Sequence, residues 1–87
     1  MKIHTEIRVG ANVLHSTTID GDHPDKLRRL ILAWIYDLPV SDTGLDIVTK
    51  KTDDSIWARL TQVIEGVWVE SAVFIPDGAD VTFKRVR

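Results

Sequence analysis

Hydrophobic and β-branched residues alternate with polar ones from the start of the chain. Ile3, Thr5, Ile7 and Val9 fall on one side, and Lys2, His4, Glu6 and Arg8 on the other. This is the period of a half-buried strand. Gly10-Ala11-Asn12 then reads as a tight turn, because Gly and Asn tolerate positive φ. Val13 to Ile19 returns as a second strand. A three-residue loop would pair Val9 with Val13, Ile7 with His15, Thr5 with Thr17 and Ile3 with Ile19, a register that keeps one face apolar or β-branched.

The pattern next changes period. Leu27, Leu30, Ile31, Trp34, Ile35 and Leu38 stand at i, i+3, i+4, i+7, i+8 and i+11, which predicts a helix over roughly residues 24–37. Asp22 or His23 caps its start, Pro24 suits the first turn, Asp25 complements the positive end of the helix dipole, and Pro39 stops it. Leu45 to Lys50 reads as a strand. Residues 55–65 carry two patterns: Ile56, Trp57, Leu60, Val63 and Ile64 fit a helix with Asp53 or Asp54 as cap and Gly66 beyond its end. The β-branched content and Glu65-Gly66 fit a strand and hairpin. The helix is the better fit. Val67–Ile75 and Val81–Val86 read as strands joined by a turn at Pro76-Asp77-Gly78-Ala79.

The order β-β-α-β-α-β-β, with short turns between paired strands, predicts an α+β fold. It would be an antiparallel sheet with one or two helices packed on one face. The expected core is Ile3, Ile7, Leu27, Ile31, Trp34, Ile35, Ile47, Leu60, Val69 and Val73. The length of 87 residues fits one domain spanning 1–87. With 44% hydrophobic and 28% charged residues the composition is that of a globular protein rather than a disordered one. There is no cysteine, so disulfides and thiolate metal sites are excluded. No apolar run approaches a membrane span, and the first residues lack a signal-peptide hydrophobic region. The expectation is a cytoplasmic protein with no membrane contact.

Little in the sequence points to catalysis. Asp20-Gly21-Asp22-His23-Pro24-Asp25 suggests a hard-metal loop, but Pro24 stands where a ligand belongs and no distal Glu follows. A strand-to-helix turn explains it better. His4, His15 and His23 do not share a helix, and His4 and His15 face opposite sides in the register above, so no metal site is expected. None of Ser16, Ser41, Ser55 and Ser71 lies in a nucleophile elbow, and no Gly-rich phosphate loop exists. The chain is therefore read as a non-enzyme without a cofactor.

Two kinds of surface feature remain. Lys50, Lys51, Lys84, Arg85 and Arg87 would bind phosphates if they converged, but the net charge is −2, so nucleic acid is the weaker partner class. The alternative reading makes them a solvated face and edge-strand charges. The three tryptophans say more. Trp34 lies on the core stripe, whereas Trp57 and Trp68 are hard to bury together in so small a domain. With Tyr36 and Glu70 they are the candidate partner contacts, because exposed aromatics dominate interface energetics.

A hairpin from Ile3 to Ile19, a helix ending in Ala33-Trp34-Ile35-Tyr36-Asp37-Leu38-Pro39, and Thr43-Gly44-Leu45-Asp46-Ile47-Val48 after it form a pattern over the first half of the chain. It resembles small phage-encoded inhibitors, including some anti-CRISPR proteins and an inhibitor of host RNA polymerase. The resemblance implies a compact α+β domain that blocks a bacterial host or defence complex by binding it, and it carries no residue roles. The leading expectation is thus a non-catalytic protein-binding domain of inhibitor type. The alternatives are a small oligomeric structural or accessory protein, such as a homodimer pairing through the second helix or Val81–Val86, and a nucleic-acid-binding module.

Overall fold

A computed structural model of the chain describes residues 1–38, 53–74 and 79–86. The alternating N-terminal residues form β1 (Lys2–Val9) and β2 (Asn12–Asp20). Two helices follow, α1 (Pro24–Tyr36) and α2 (Asp53–Ile64), then β3 (Glu70–Val73) and β4 (Asp80–Val86). The fold is α+β, and the four strands form one antiparallel sheet in the order β2-β1-β4-β3. The chain's first and last strands are therefore central neighbours. The expected strand at residues 45–50, with core residue Ile47, and most of the turn at residues 76–79 lie outside the described residues.

Burial follows the pattern of residues. Ile3, Thr5 and Ile7 of β1 and Val81 and Phe83 of β4 are buried on one face of the sheet. Against them pack Leu27, Ile31 and Ile35 of α1 and Ile56, Leu60, Val63 and Ile64 of α2. Helix α2 lies over β3 and β4, and α1 reaches β2. The helical reading of residues 55–65 is the one the chain adopts. Trp34 is partly buried against this core.

The hairpin register agrees at three of the four expected pairs, Ile3–Ile19, Thr5–Thr17 and Ile7–His15. The fourth differs. The turn is two residues, Gly10-Ala11, with Gly10 at φ +59°, and a bulge beyond Ile7 makes Val13 oppose Arg8 rather than Val9. A two-residue turn with a left-handed glycine matches the twist of the strands better than a three-residue loop, and the bulge absorbs the extra residue. At the start of α1 the cap is His23, whose Nδ1 accepts from the Asp25 N–H at 3.3 Å. Asp22 instead faces Lys26 at 3.7 Å.

Helix α2 ends in a complete glycine stop. Gly66 sits at φ +84°, its N–H donates to the Val63 carbonyl at 3.2 Å, and the Val67 N–H donates to Gln62 at 2.9 Å. This is the paired bonding of a Schellman motif, which needs the left-handed residue. The stop consumes residues that the sequence pattern assigns to a strand, so β3 begins only at Glu70. Val69, expected in the core, is 68% exposed. At its position α2 has already ended, and no described element lies over it.

Candidate functional site

Both helices pack on one face of the sheet, and no described element covers the other. Its side chains are fixed by strand alternation: Lys2, His4, Glu6 and Arg8 on β1, Thr82 and Lys84 on β4, Glu70 and Ala72 on β3. Opposite charges meet across the ladders, because Lys2 stands opposite Asp20, Arg8 opposite Asp80 and Lys84 opposite Glu70. Such pairs add modestly to sheet stability and leave the face electrically balanced. A shallow groove of about 600 Å³ runs over it, lined by His4, Glu6, Arg8, Glu70, Phe74 and Lys84 among others.

Within this face His4 holds two hydrogen bonds, its Nδ1 to Thr18 Oγ1 at 2.8 Å and its Nε2 to Glu6 Oε1 at 3.0 Å. A carboxylate can only accept, so Nε2 carries a proton; in the neutral ring Nδ1 then accepts from the Thr18 hydroxyl. Glu6 Oε2 lies 4.0 Å from Arg8 Nε. Hydroxyl, imidazole and carboxylate in this order are the groups of a nucleophilic relay. Such a relay works in a water-excluded pocket with donors aimed at the developing charge. Here the hydroxyl stands on β2, an exposed edge strand. The relay orients His4 on an open surface. No sequence motif marks it, although the expected hairpin register already sets Thr18 opposite His4.

The margin of this face is apolar. Val67, Trp68 and Val69, just before β3, are 62%, 54% and 68% exposed, and Phe74, just after it, is 75% exposed. Of the expected partner contacts, Trp68 and Glu70 lie on this margin. Tyr36 and Trp57 belong to the helix layer, on the other side of the sheet from Glu70, so the four do not form one patch. Trp57 is half-exposed, and the Arg28 guanidinium lies 5.0 Å from its ring centroid. Val67, Val69 and Phe74 are the other exposed apolar residues flanking β3. Their signal in the sequence is three consecutive apolar residues after Gly66, a run that cannot place all its members on one face of a strand.

The basic residues do not converge among the described residues. Lys84 lies on the open face. Arg85 points to the helix side, where its Nη2 donates to the Val63 carbonyl at 2.6 Å and the Ile64 carbonyl at 3.3 Å. Lys50, Lys51 and Arg87 lie outside the described residues. Nor are Lys84 and Arg85 edge charges, since β4 is paired on both sides, by β1 and β3. The same fact removes Val81–Val86 as a strand that could pair across a symmetry axis. The acidic turn is accounted for by ion pairs, Asp25 with Arg28 at 3.3 Å and Asp22 with Lys26, and no three His, Asp or Glu side chains among the described residues converge as metal ligands. No described helix is long and apolar enough to cross a membrane. Compared with models of known families, with curated proteins and with solved structures, the chain matches none.

Proposed function

We propose that this chain is a non-catalytic protein-binding domain whose contact surface is the open sheet face together with its β3 margin. The observation that supports it is that the apolar residues flanking the edge strand β3, Val67, Trp68 and Val69 before it and Phe74 after it, are each more than half exposed. Large apolar side chains exposed along one strand edge are candidates for a contact site. Trp and Phe supply the anchoring area, and the charged rows of Arg8, Lys84 and Glu70 beside them supply orientation and partner choice. The resemblance of the first half to small phage-encoded inhibitors makes a bacterial host or defence complex the first partner class to try, with the domain acting by occlusion.

The test is parallel affinity capture from bacterial lysate with the wild-type chain and the Trp68→Ser/Phe74→Ser double variant, read by mass spectrometry. Both side chains are already solvent-facing, so the variant keeps the core. The expected result is a protein retained by the wild type and lost by the variant. Identical captures from the two chains would refute this surface as the contact.

A further inference from the structure

We propose that two copies of this chain pair antiparallel through β3, about a two-fold axis at Ser71, joining their sheets into one of eight strands. This rests on reading the β3 margin as a protein contact, and it names the occupant of the strand edge.

Among the described residues the sheet order leaves β3 at an end, and β3 itself lacks the usual guards of an edge. It carries no Lys and no Pro, and its one charge is Glu70. Which of its backbone groups are free follows from a single bond. The Arg85 N–H donates to the Val69 carbonyl at 2.9 Å, so Val69, Ser71 and Val73 direct their polar groups toward β4. In an antiparallel ladder these alternate, so Glu70 and Ala72 direct theirs outward.

A two-fold pairing must set outward residues opposite outward residues, so its axis falls at a residue, and of the four in β3 the axes at Glu70, Ser71 and Ala72 pair both Glu70 and Ala72 with described residues. An axis at Glu70 opposes Glu70 to its own copy, a like-charge pair. An axis at Ala72 sets Glu70 against Phe74, a carboxylate against an aromatic ring. An axis at Ser71 sets Glu70 opposite Ala72, Val69 opposite Val73 and Trp68 opposite Phe74. Only this last register sets Trp68 opposite Phe74 and Val69 opposite Val73 while keeping Glu70 away from both its own copy and an aromatic ring; the Glu70–Lys84 pair within each chain is untouched. The Trp68 N–H is already given to Gln62 at 3.3 Å. The new ladder is therefore the four bonds exchanged by Glu70 and Ala72, flanked by two Trp–Phe contacts.

The area agrees with a reversible dimer. Covering the exposed parts of Trp68, Val69 and Phe74 and the strand edge removes about 400–500 Å² per copy, or about 800–1,000 Å² in all. That is below the ~1,200 Å² of stable specific interfaces and in the range of weak, transient ones. The pairing closes on itself, so it makes a dimer and not a fibre. It also places the two open faces side by side as one surface.

The experiment uses the absence of cysteine. Ser71→Cys supplies the only thiol, and across the axis Ser71 forms a non-hydrogen-bonded pair with Cα atoms about 4.5 Å apart, within disulfide range. Ala72 and its copy are about 8 Å apart by the same strand spacings, beyond that range. Sedimentation of the wild type at rising micromolar concentration should pass from monomer to dimer, with at least tenfold weaker association for Trp68→Ser. Mild oxidation should link Ser71→Cys and not Ala72→Cys. Linking of Ala72→Cys alone would overturn the register. A wild type that stays monomeric and a Ser71→Cys chain that does not link would overturn the dimer. If that monomer still captures a protein lost by the Trp68→Ser/Phe74→Ser variant, the protein-contact reading stands without it; if it captures none, both fail.

Discussion

Arg85 is the one charged side chain of β4 that points toward the helices, and its removal tests how α2 is anchored to the sheet. Its Nη2 donates to two carbonyls of the last turn of α2, where the helix dipole is negative. A hydrogen bond from a charged donor contributes about 1.5–3 kcal/mol, and a cation at a helix C-terminus about 0.3–1 kcal/mol. Against these stand the ordering of a long side chain and the buried Nε, which has no partner among the described residues. The Val63 carbonyl also keeps its bond from Gly66. Arg85→Ala should therefore destabilise by about 2 kcal/mol, lowering Tm by roughly 8–15 °C for a domain of this size. Urea unfolding followed by tryptophan fluorescence measures it, with an unchanged slope showing that the unfolding reaction is the same. Arg85→Lys should recover about half, since an ammonium keeps the charge but not the planar fork. Gly66 supplies the cross-check. A Cβ there would lie 3.0 Å from Arg85 Nη2 on a backbone at φ +84°. Gly66→Ala should thus cost about 0.5–1 kcal/mol more in the wild type than in Arg85→Ala, where only the backbone strain remains. A loss below about 0.5 kcal/mol for Arg85→Ala, the level of an ordinary surface change, would refute this anchoring.

Thr5 is fully buried and its hydroxyl has no partner among the described residues. Thr5→Val should raise stability by about 1 kcal/mol by removing an unpaired polar atom, and an unchanged or lower urea midpoint would contradict this. For Arg28 and Trp57, a double-mutant cycle with Arg28→Met and Trp57→Leu should give a coupling of about 0.5–1 kcal/mol, and zero coupling would show the contact to be incidental. Phe83 is the largest fully buried side chain; Phe83→Ala should cost about 3–5 kcal/mol, read as unfolding at or near room temperature.

What the sequence showed was local. Ile3, Ile7, Leu27, Ile31, Ile35 and Leu60 are buried as their spacing implies, because one strand or helix determines its own faces from its own residues. The register of the first hairpin was legible except beside the turn, where Val13 is displaced by a bulge that costs the sequence no change in pattern. Val69 shows the limit. Its neighbours alternate like a strand, but whether a strand face is covered depends on where α2 stops, and that is decided by Gly66 and Arg85, from two distant parts of the chain. The Thr18–His4–Glu6 relay follows from the hairpin register that was legible, but no motif in the sequence marks it.

The position of β4 carries the largest consequence. Read alone, Val81–Val86 is a charged C-terminal strand suited to an edge, with Lys84 and Arg85 as its guards. Between β1 and β3 the same residues divide by face. Lys84 balances Glu70 in the open, and Arg85 holds the end of α2. Among the described residues the edge passes to β3, whose one charge is Glu70 and which has apolar residues at both ends. Of the two edges among the described residues, β2 carries the polar residues Asn12, His15, Ser16, Thr18 and Asp20 and exposes two aliphatic side chains, Val13 and Leu14, but no aromatic one. The unprotected edge and the exposed aromatics therefore coincide at one margin of the sheet. An uncovered strand edge beside Trp68 and Phe74 would favour unselective strand pairing, unless a partner of defined register occupies it.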